Sequence, residues 1–236
     1  MPLTAFRAIS AFARRFLATS GLWNRNLDTF ETKFCDMRIL HLSDTHGLHS
    51  QIGRLPEADV IVHSGDISHR GTEDECLDFL NWFIELPYKH KIFVCGNHDF
   101  CLYEADGIED LPANVHFLQD RGVTIDGVKF YGAGYLHYQK PIPSDTQVLV
   151  THEPPFGILD REMACGIGDY GSQEILNQVF ELPALRLHLF GHSHNGYGLY
   201  QKNGIVFSNA ALLTSGGVEI AREPRLIEFN DSVKIL

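Results

Sequence analysis

The sequence predicts a mixed α/β sandwich, two packed β-sheets with helices outside. Three observations carry that prediction. Apolar, β-branched-rich runs at 39–42, 60–62, 92–94, 148–150 and 187–190 read as buried strands. A short polar motif follows each run at once, and strand ends lying side by side in a sheet can bring such motifs to one point. Two further segments, around 122–134 and 196–209, carry the Asp-Gly and Asn-Gly signals of antiparallel hairpins.

Taken in chain order, residues 1–36 stand apart. They hold Arg7, Arg14, Arg15 and Arg25 with no acid before Asp28, and Phe6, Ile9, Phe12, Phe16 and Leu17 recur at helical spacing. Two readings are open: an organelle-targeting or membrane-surface amphipathic helix, or an upstream extension of the reading frame, since Met37 would begin the first strand. Residues 37–236 form the domain proper. After the second strand, Thr72 and Glu75 make a capping-box signature, and Cys76, Phe79, Leu80 and Phe83 form one apolar stripe before Pro87, which predicts a helix. A second helix is predicted from Ser172, with Ile175, Leu176, Val179 and Phe180 facing inward, stopping before Pro183.

At 236 residues and 44% hydrophobic content, the chain can bury its core without staples. A net charge of −11 argues against a long nucleic-acid partner, which needs clustered Lys and Arg. It leaves room for a small phosphorylated substrate, because bound cations change the local field. The five cysteines are odd in number and lack C-x-x-C spacing, so a reducing, cytoplasmic setting is expected, organelle targeting applying if the extension is real. Cys95 reads as a small buried hydrophobe. No stretch approaches the length of a spanning helix.

The polar motifs are Asp44-Thr45-His46, Gly65-Asp66, Gly96-Asn97-His98-Asp99, Thr151-His152 and Gly191-His192-Ser193-His194. Strand-end alternation would put Asp44 and His46 on one face, and Gly65 lets the backbone turn toward a metal. A carboxylate such as Asp66 can bridge two cations through its two oxygens. Asn97 offers a neutral oxygen, and His152, His192 and His194 add imidazoles suited to zinc, iron or manganese. Taken singly, each piece is common. Five in this order, each closing a strand, point to a two-metal site that hydrolyses phosphate esters by attack of a hydroxide bridging the cations. His41 and His188, inside apolar runs, read as structural, and His63 stays outside the site.

This ordered set resembles the calcineurin-like metallophosphoesterase superfamily, from about Arg38 to the C-terminus. The resemblance implies a four-layer sandwich of two mixed sheets flanked by helices. It implies one divalent metal held by Asp44, His46, Asp66 and His194, and a second held by Asp66, Asn97, His152 and His192. His98 would be the acid beside the leaving group, oriented by Asp99. The stretches Leu86-Pro87-Tyr88-Lys89-His90-Lys91, Thr151-His152-Glu153-Pro154-Pro155-Phe156-Gly157 and Gly196-Tyr197-Gly198 are similar to a compact branch with cyclic-nucleotide phosphodiesterase activity. Glu153 departs from that branch, which usually has glycine there. Its carboxylate would either repel a phosphate or orient His152. Substrate contacts are expected from Arg70, Phe156, Arg161 and Tyr170. The alternatives are a broad phosphatase or nuclease on the same site, and a non-catalytic metal-binding scaffold.

Overall fold

The computed structural model describes residues 36–136, 140–161, 171–214, 219–230 and 232–236. In chain order the strands are β1 (Met37–Leu42), β2 (Val60–His63), β3 (His90–Phe93), β4 (Val115–Phe117), β5 (Arg121–Ile125) and β6 (Val128–Ala133). They continue as β7 (Val148–Thr151), β8 (Leu187–Phe190), β9 (Gly198–Lys202), β10 (Ile205–Asn209), β11 (Arg225–Phe229) and β12 (Val233–Ile235). Helix α1 (Glu73–Glu85) lies between β2 and β3, and α2 (Gln173–Val179) between β7 and β8.

Two six-stranded sheets result, ordered β12-β11-β1-β2-β3-β4 and β5-β6-β7-β8-β10-β9. β1 to β4 are parallel in the first, and β6, β7, β8 and β10 in the second; the outer strands β11, β12, β5 and β9 are antiparallel. Period-two alternation then sorts the side chains. Ile39, Val62, Val148, Val150, Leu187, Leu189 and Val206 meet between the sheets. Leu40, Leu42, Ile61 and Phe93 turn outward onto the Cys76, Phe79, Leu80 and Phe83 stripe of α1. Leu149, Phe190 and Phe207 turn outward onto Ile175 and Val179 of α2. The predicted sandwich, helix over sheet over sheet over helix, is the architecture found.

Local chemistry explains most boundaries. Thr72 caps α1 by accepting from the Glu75 N–H at 3.3 Å. The reciprocal half of the capping box is diverted, because the Glu75 carboxylate accepts from the Arg70 N–H at 2.7 Å instead. Ser172 caps α2 through the Ile175 N–H. Asp126 and Gly127 (φ 46° and 85°) turn β5 into β6, and Asn203 and Gly204 (φ 52° and 80°) turn β9 into β10, as their dipeptides predict. Strands β4, β11 and β12 carry no motif and were not anticipated from the sequence. The first 35 residues, with their amphipathic pattern, lie outside the described residues, as do Cys35 and Cys165.

Past β1, Ser43 forms a parallel bridge to Ala211 beyond β10. The ends of the parallel strands of both sheets therefore open on one edge. His41 reinforces this seam: its ring lies between Ser64 Oγ at 3.0 Å and Ser208 Oγ at 2.9 Å, one from each sheet side. His188 bonds Thr151 Oγ1 at 2.9 Å and packs on the Phe190 and Phe207 rings. Both are structural, as expected. Burial lowers the pKa of each to about 3, helped at His41 by the Arg225 charge.

An unfolded histidine titrates near its ordinary value, well above these. The stability lent by the neutral rings is therefore full above about pH 6.5 and drains as the pH falls toward about 3. At pH 5 each ring should have lost about 2 kcal/mol. Urea unfolding at pH 7.5 and pH 5 checks this, and His188→Gln should shrink the difference between them by about 2 kcal/mol.

Candidate metal centre

The polar motifs begin where the strands stop, and their backbone is unusual. Asp44 and His46 converge, though not by strand alternation: β1 ends at Leu42, and both residues are left-handed, with φ of 55° and 44°. Asp66 and His192 are left-handed too, at 55° and 64°. Such a conformation costs a non-glycine residue on the order of 1–2 kcal/mol. Hydrogen bonds between the loops hold it. The Asp44 N–H donates to Gly65 O and the His46 N–H to Asp66 O, both at 3.0 Å. The His192 N–H donates to Asp44 Oδ2, also at 3.0 Å.

Glycines admit the crowding. A Cβ on Gly191 would meet Asp44 Oδ2 at 2.0 Å, and one on Gly96 would meet the Asp66 N and Oδ1 at 2.2 Å. Gly65 faces His152 Nδ1 in the same way, at 2.5 Å. The role read for Gly65 in the sequence is thus shared by three residues, and it is one of space as much as of turn.

All seven predicted donors meet here, in two sets. On one side, His46 Nε2 and His194 Nε2 stand 4.0 and 3.7 Å from Asp44 Oδ1. On the other, His152 Nε2 and His192 Nδ1 each lie 2.8 Å from Asn97 Oδ1. Asp66 stands between them, with Oδ2 at 3.5 Å from His46 Nε2 and Oδ1 at 3.5 Å from His152 Nε2. Donor atoms of Asp44, His46 and His194 fall within 4.8 Å of one another, and so do those of Asp44, Asp66 and His152. Asp44 therefore touches both sets, which the sequence reading reserved for Asp66.

The tautomers test whether cations fit. His152 Nδ1 faces Ser64 O at 2.9 Å and His194 Nδ1 faces Leu213 O at 2.8 Å. Each carbonyl can only accept, so these contacts assign the ring proton to Nδ1 and leave a lone pair on Nε2. The His152 lone pair then points at the Asn97 oxygen, and that of His194 at a carboxylate oxygen. Lone pair facing lone pair is repulsive unless a cation stands between them. Carbonyls in this position are the kind of outer partner that aims imidazoles toward a metal.

Electrostatics agree. Burial alone would raise Asp44, but His152, His194 and His46 around it overcome that and hold its carboxyl well below the usual range. Asp66 moves the other way: burial first, then the Asp44 and Asp99 charges, push its carboxyl well up. Burial lowers His46 to about 4 and His192 to about 3, so both rings are neutral and able to donate lone pairs at neutral pH. Crowded carboxylates beside neutral imidazoles are short of positive charge, which bound cations would supply.

His98 and Asp99 do not form the pair that the resemblance implied. The Asp99 carboxylate accepts from Gly96 N–H at 2.7 Å, Ser68 Oγ at 2.7 Å and Ser68 N–H at 3.0 Å. Being buried and saturated, it braces the loop. His98 Nδ1 faces His69 O at 2.8 Å instead, and its N–H donates to Asp66 Oδ1 at 2.8 Å. His46, His69 and His98 make a third imidazole group within 4.8 Å at the mouth of the centre. Ser64 O takes the His152 Nδ1 proton, so Glu153 is not its orienting partner there; the Glu153 charge lies toward Tyr135.

The expected substrate contacts scatter. Arg70 is exposed beside His69, and Phe156 is exposed outside the donor sets. Arg161 lines a cavity of about 390 Å³ with Asp160, Tyr197 and Tyr200, next to the His194 turn. Tyr170 lies outside the described residues. Sequence reasoning missed Asn209, whose amide donates to Ser193 O at 2.9 Å and Gly191 O at 3.3 Å and so clamps the His192–His194 loop. It closes an apolar run, the signal that marked the other motifs. Also missed was an aromatic rim, in which Phe100 stacks with His98, Tyr103 meets Phe100 and Tyr135, and Tyr135 approaches His152 and His192. His63 bonds Thr45 Oγ1 at 3.0 Å and stays behind the donors.

Comparison with known proteins places the chain. Residues 37–196 match the family model described as calcineurin-like phosphoesterase. A UPF0046 protein of Caenorhabditis elegans is 34% identical over 215 residues, covering 76% of this chain and 71% of that protein. The human metallophosphoesterase domain-containing protein 1 is 31% identical over 218 residues, 75% of this chain; the match spans only 66% of that relative's length. More distant, at 25% identity over 70% of this chain and 68% of the relative, is a 3',5'-cyclic-nucleotide phosphodiesterase of Nostoc sp.. Among the described residues, no helix is long and apolar enough to cross a membrane.

Proposed function

This chain belongs to the calcineurin-like phosphoesterase family, and from that premise we propose that it hydrolyses small phosphodiesters, cyclic nucleotides foremost, with two divalent cations. The observation that carries the reading is Asp66, whose two oxygens face one imidazole from each donor set at 3.5 Å. Asp44, His46, Asp66 and His194 would hold one cation, and Asp66, Asn97, His152 and His192 the other. Manganese, iron and zinc all suit such nitrogen and oxygen donors. When bound, the cations supply Lewis acidity and a water acidic enough to lose its proton near neutral pH.

The chain's own residues do the remainder. His98 has Nδ1 committed to a carbonyl, so the proton for the departing alkoxide leaves from Nε2. Its N–H on Asp66 Oδ1 ties that acid to the carboxylate between the donor sets. The exposed Phe100 ring, stacked beside His98, is a flat apolar surface suited to a planar leaving group such as a nucleoside. The net charge of −11 favours a small substrate over a polymer, and the Nostoc relative is named for cyclic nucleotides.

Metal analysis with a substrate panel tests the reading. Two equivalents of metal are expected, with turnover of a nitrophenyl phosphodiester and of cyclic nucleotides that a chelator abolishes and added manganese restores. Faster turnover of nucleoside monophosphates or single-stranded DNA would give the site to a phosphatase or nuclease. Metal-loaded protein inert toward every phosphate ester would leave a scaffold. His98→Ala should keep both metals and lower kcat about 10²–10⁴-fold. The loss should be greater for an alkoxide leaving group than for nitrophenolate, which needs no proton. Loss of metal in this variant would instead assign His98 to the coordination set, through the His46, His69 and His98 group.

A further inference from the structure

Away from the metal donors, two thiols are in contact. Cys76, on the buried face of α1, and Cys101, on the short turn Phe100–Leu102 that follows His98, have their sulfurs 3.1 Å apart. A disulfide needs about 2.0 Å, so an approach of about 1 Å is enough. Both backbones are anchored on consecutive carbonyls. The Cys101 N–H donates to Gly71 O at 3.2 Å and the Cys76 N–H to Thr72 O at 3.1 Å. The pair is therefore preorganised by one corner of chain.

The two sulfurs differ in a useful way. Cys76 is fully buried, whereas Cys101 is partly exposed. The contact between the two sulfurs lowers the Cys101 pKa, while that same contact and burial raise that of Cys76 and hold it protonated. Cys101 is thus the accessible nucleophile and Cys76 the proton-bearing neighbour. Cys95, the other described cysteine, is buried against the Gln119 amide at 3.4 Å and has no thiol partner among the described residues.

We propose that Cys76 and Cys101 are an oxidative modification site, a dithiol that a hydroperoxide converts to an intramolecular disulfide. The Cys101 sulfur attacks the outer oxygen of the hydroperoxide, the O–O bond breaks, and an alcohol (water, for hydrogen peroxide) leaves with a sulfenic acid on Cys101. The Cys76 sulfur then attacks the Cys101 sulfur, the S–O bond breaks, and the hydroxide departs with the Cys76 proton as water. Two thiols lose two electrons and two protons, and the peroxide accepts both. The bond would tie α1 to the turn three residues beyond His98. Ser68, beside Cys76, donates to Asp99 Oδ1 at 2.7 Å and to His98 O at 3.1 Å, so the dithiol borders the bonds that brace the His98 loop.

The test uses full-length protein, loaded with redox-inert zinc, reduced and desalted, then treated with hydrogen peroxide. Alkylation, denaturation and peptide mapping without reductant follow. The thiol count should fall from five to three, with one linked peptide pair joining Cys76 to Cys101. Cys101→Ser should leave Cys76 alkylated, and Cys76→Ala should leave a Cys101 sulfenic acid that dimedone traps. Two wild-type results would overturn the proposal without any variant. One is a dimedone adduct on Cys101 with Cys76 still alkylated. The other is oxidation of other cysteines while both of these remain free.

Discussion

Asp66→Asn is expected to lower turnover on a model phosphodiester by about 10³-fold or more, several kcal/mol of charge stabilisation. The purified protein should also hold fewer than two equivalents of metal. The asparagine keeps the shape and one oxygen, so the N–H of His98 retains an acceptor. It loses the second oxygen donor and the charge. The same change should raise the thermal midpoint of chelator-stripped protein. Burial, Asp44 and Asp99 all oppose ionisation of this carboxyl when no cation is present, and an amide has no charge to bury. Lower activity with higher metal-free stability is not a pattern that misfolding produces. A variant that kept two metals and most of its turnover would remove Asp66 from between the donor sets.

Gly96→Ala is the second change with a large expected effect. Its Cβ would come to 2.2 Å from the Asp66 N and Oδ1, and neither the backbone nor that carboxylate can retreat without moving the loop. We expect a loss of about 3 kcal/mol, the upper part of the range for overpacking, together with impaired metal binding. Gly53→Ala is the control. A Cβ there meets nothing within 4 Å, and the change should stay within about 0.5 kcal/mol. Urea unfolding with metal quantification compares the two. Equal stability and equal metal content would show that this crowding is not what the site depends on.

The legible parts of the structure are those with a local physical cause. Helix α1 was readable because an apolar stripe sits between a threonine cap and a proline. The two hairpins were readable because Asp-Gly and Asn-Gly adopt left-handed turns at small cost. The donor residues were readable because each closes an apolar run, and the strand ends of both sheets share one edge. What escaped has a tertiary cause. The left-handed backbone at His46 and His192 is held by bonds to distant loops, which no local propensity encodes. The groups that aim His152 and His194 are main-chain carbonyls of Ser64 and Leu213, which every residue possesses. Asp99 looked like a partner for its neighbour His98, yet its oxygens face the amides of the preceding turns. Strand β12 is a partly exposed edge strand and β11, beside it, is of mixed polarity and partly exposed, so neither has the unbroken apolar run that marked the buried ones.

The common edge of the two sheets has a consequence for assembly. Asp44, Asp66 and Asn97 follow strands of the first sheet, and His152, His192 and His194 follow strands of the second. Neither half of the chain alone owns the full set of candidate donors: one is mainly oxygen, the other all imidazole. A cation can be captured fully only after the halves have docked in register, with residues up to 150 positions apart (44 to 194) already side by side. A metal held by this set would therefore be taken up late in folding, as a latch that closes on a finished sandwich rather than as a seed for it.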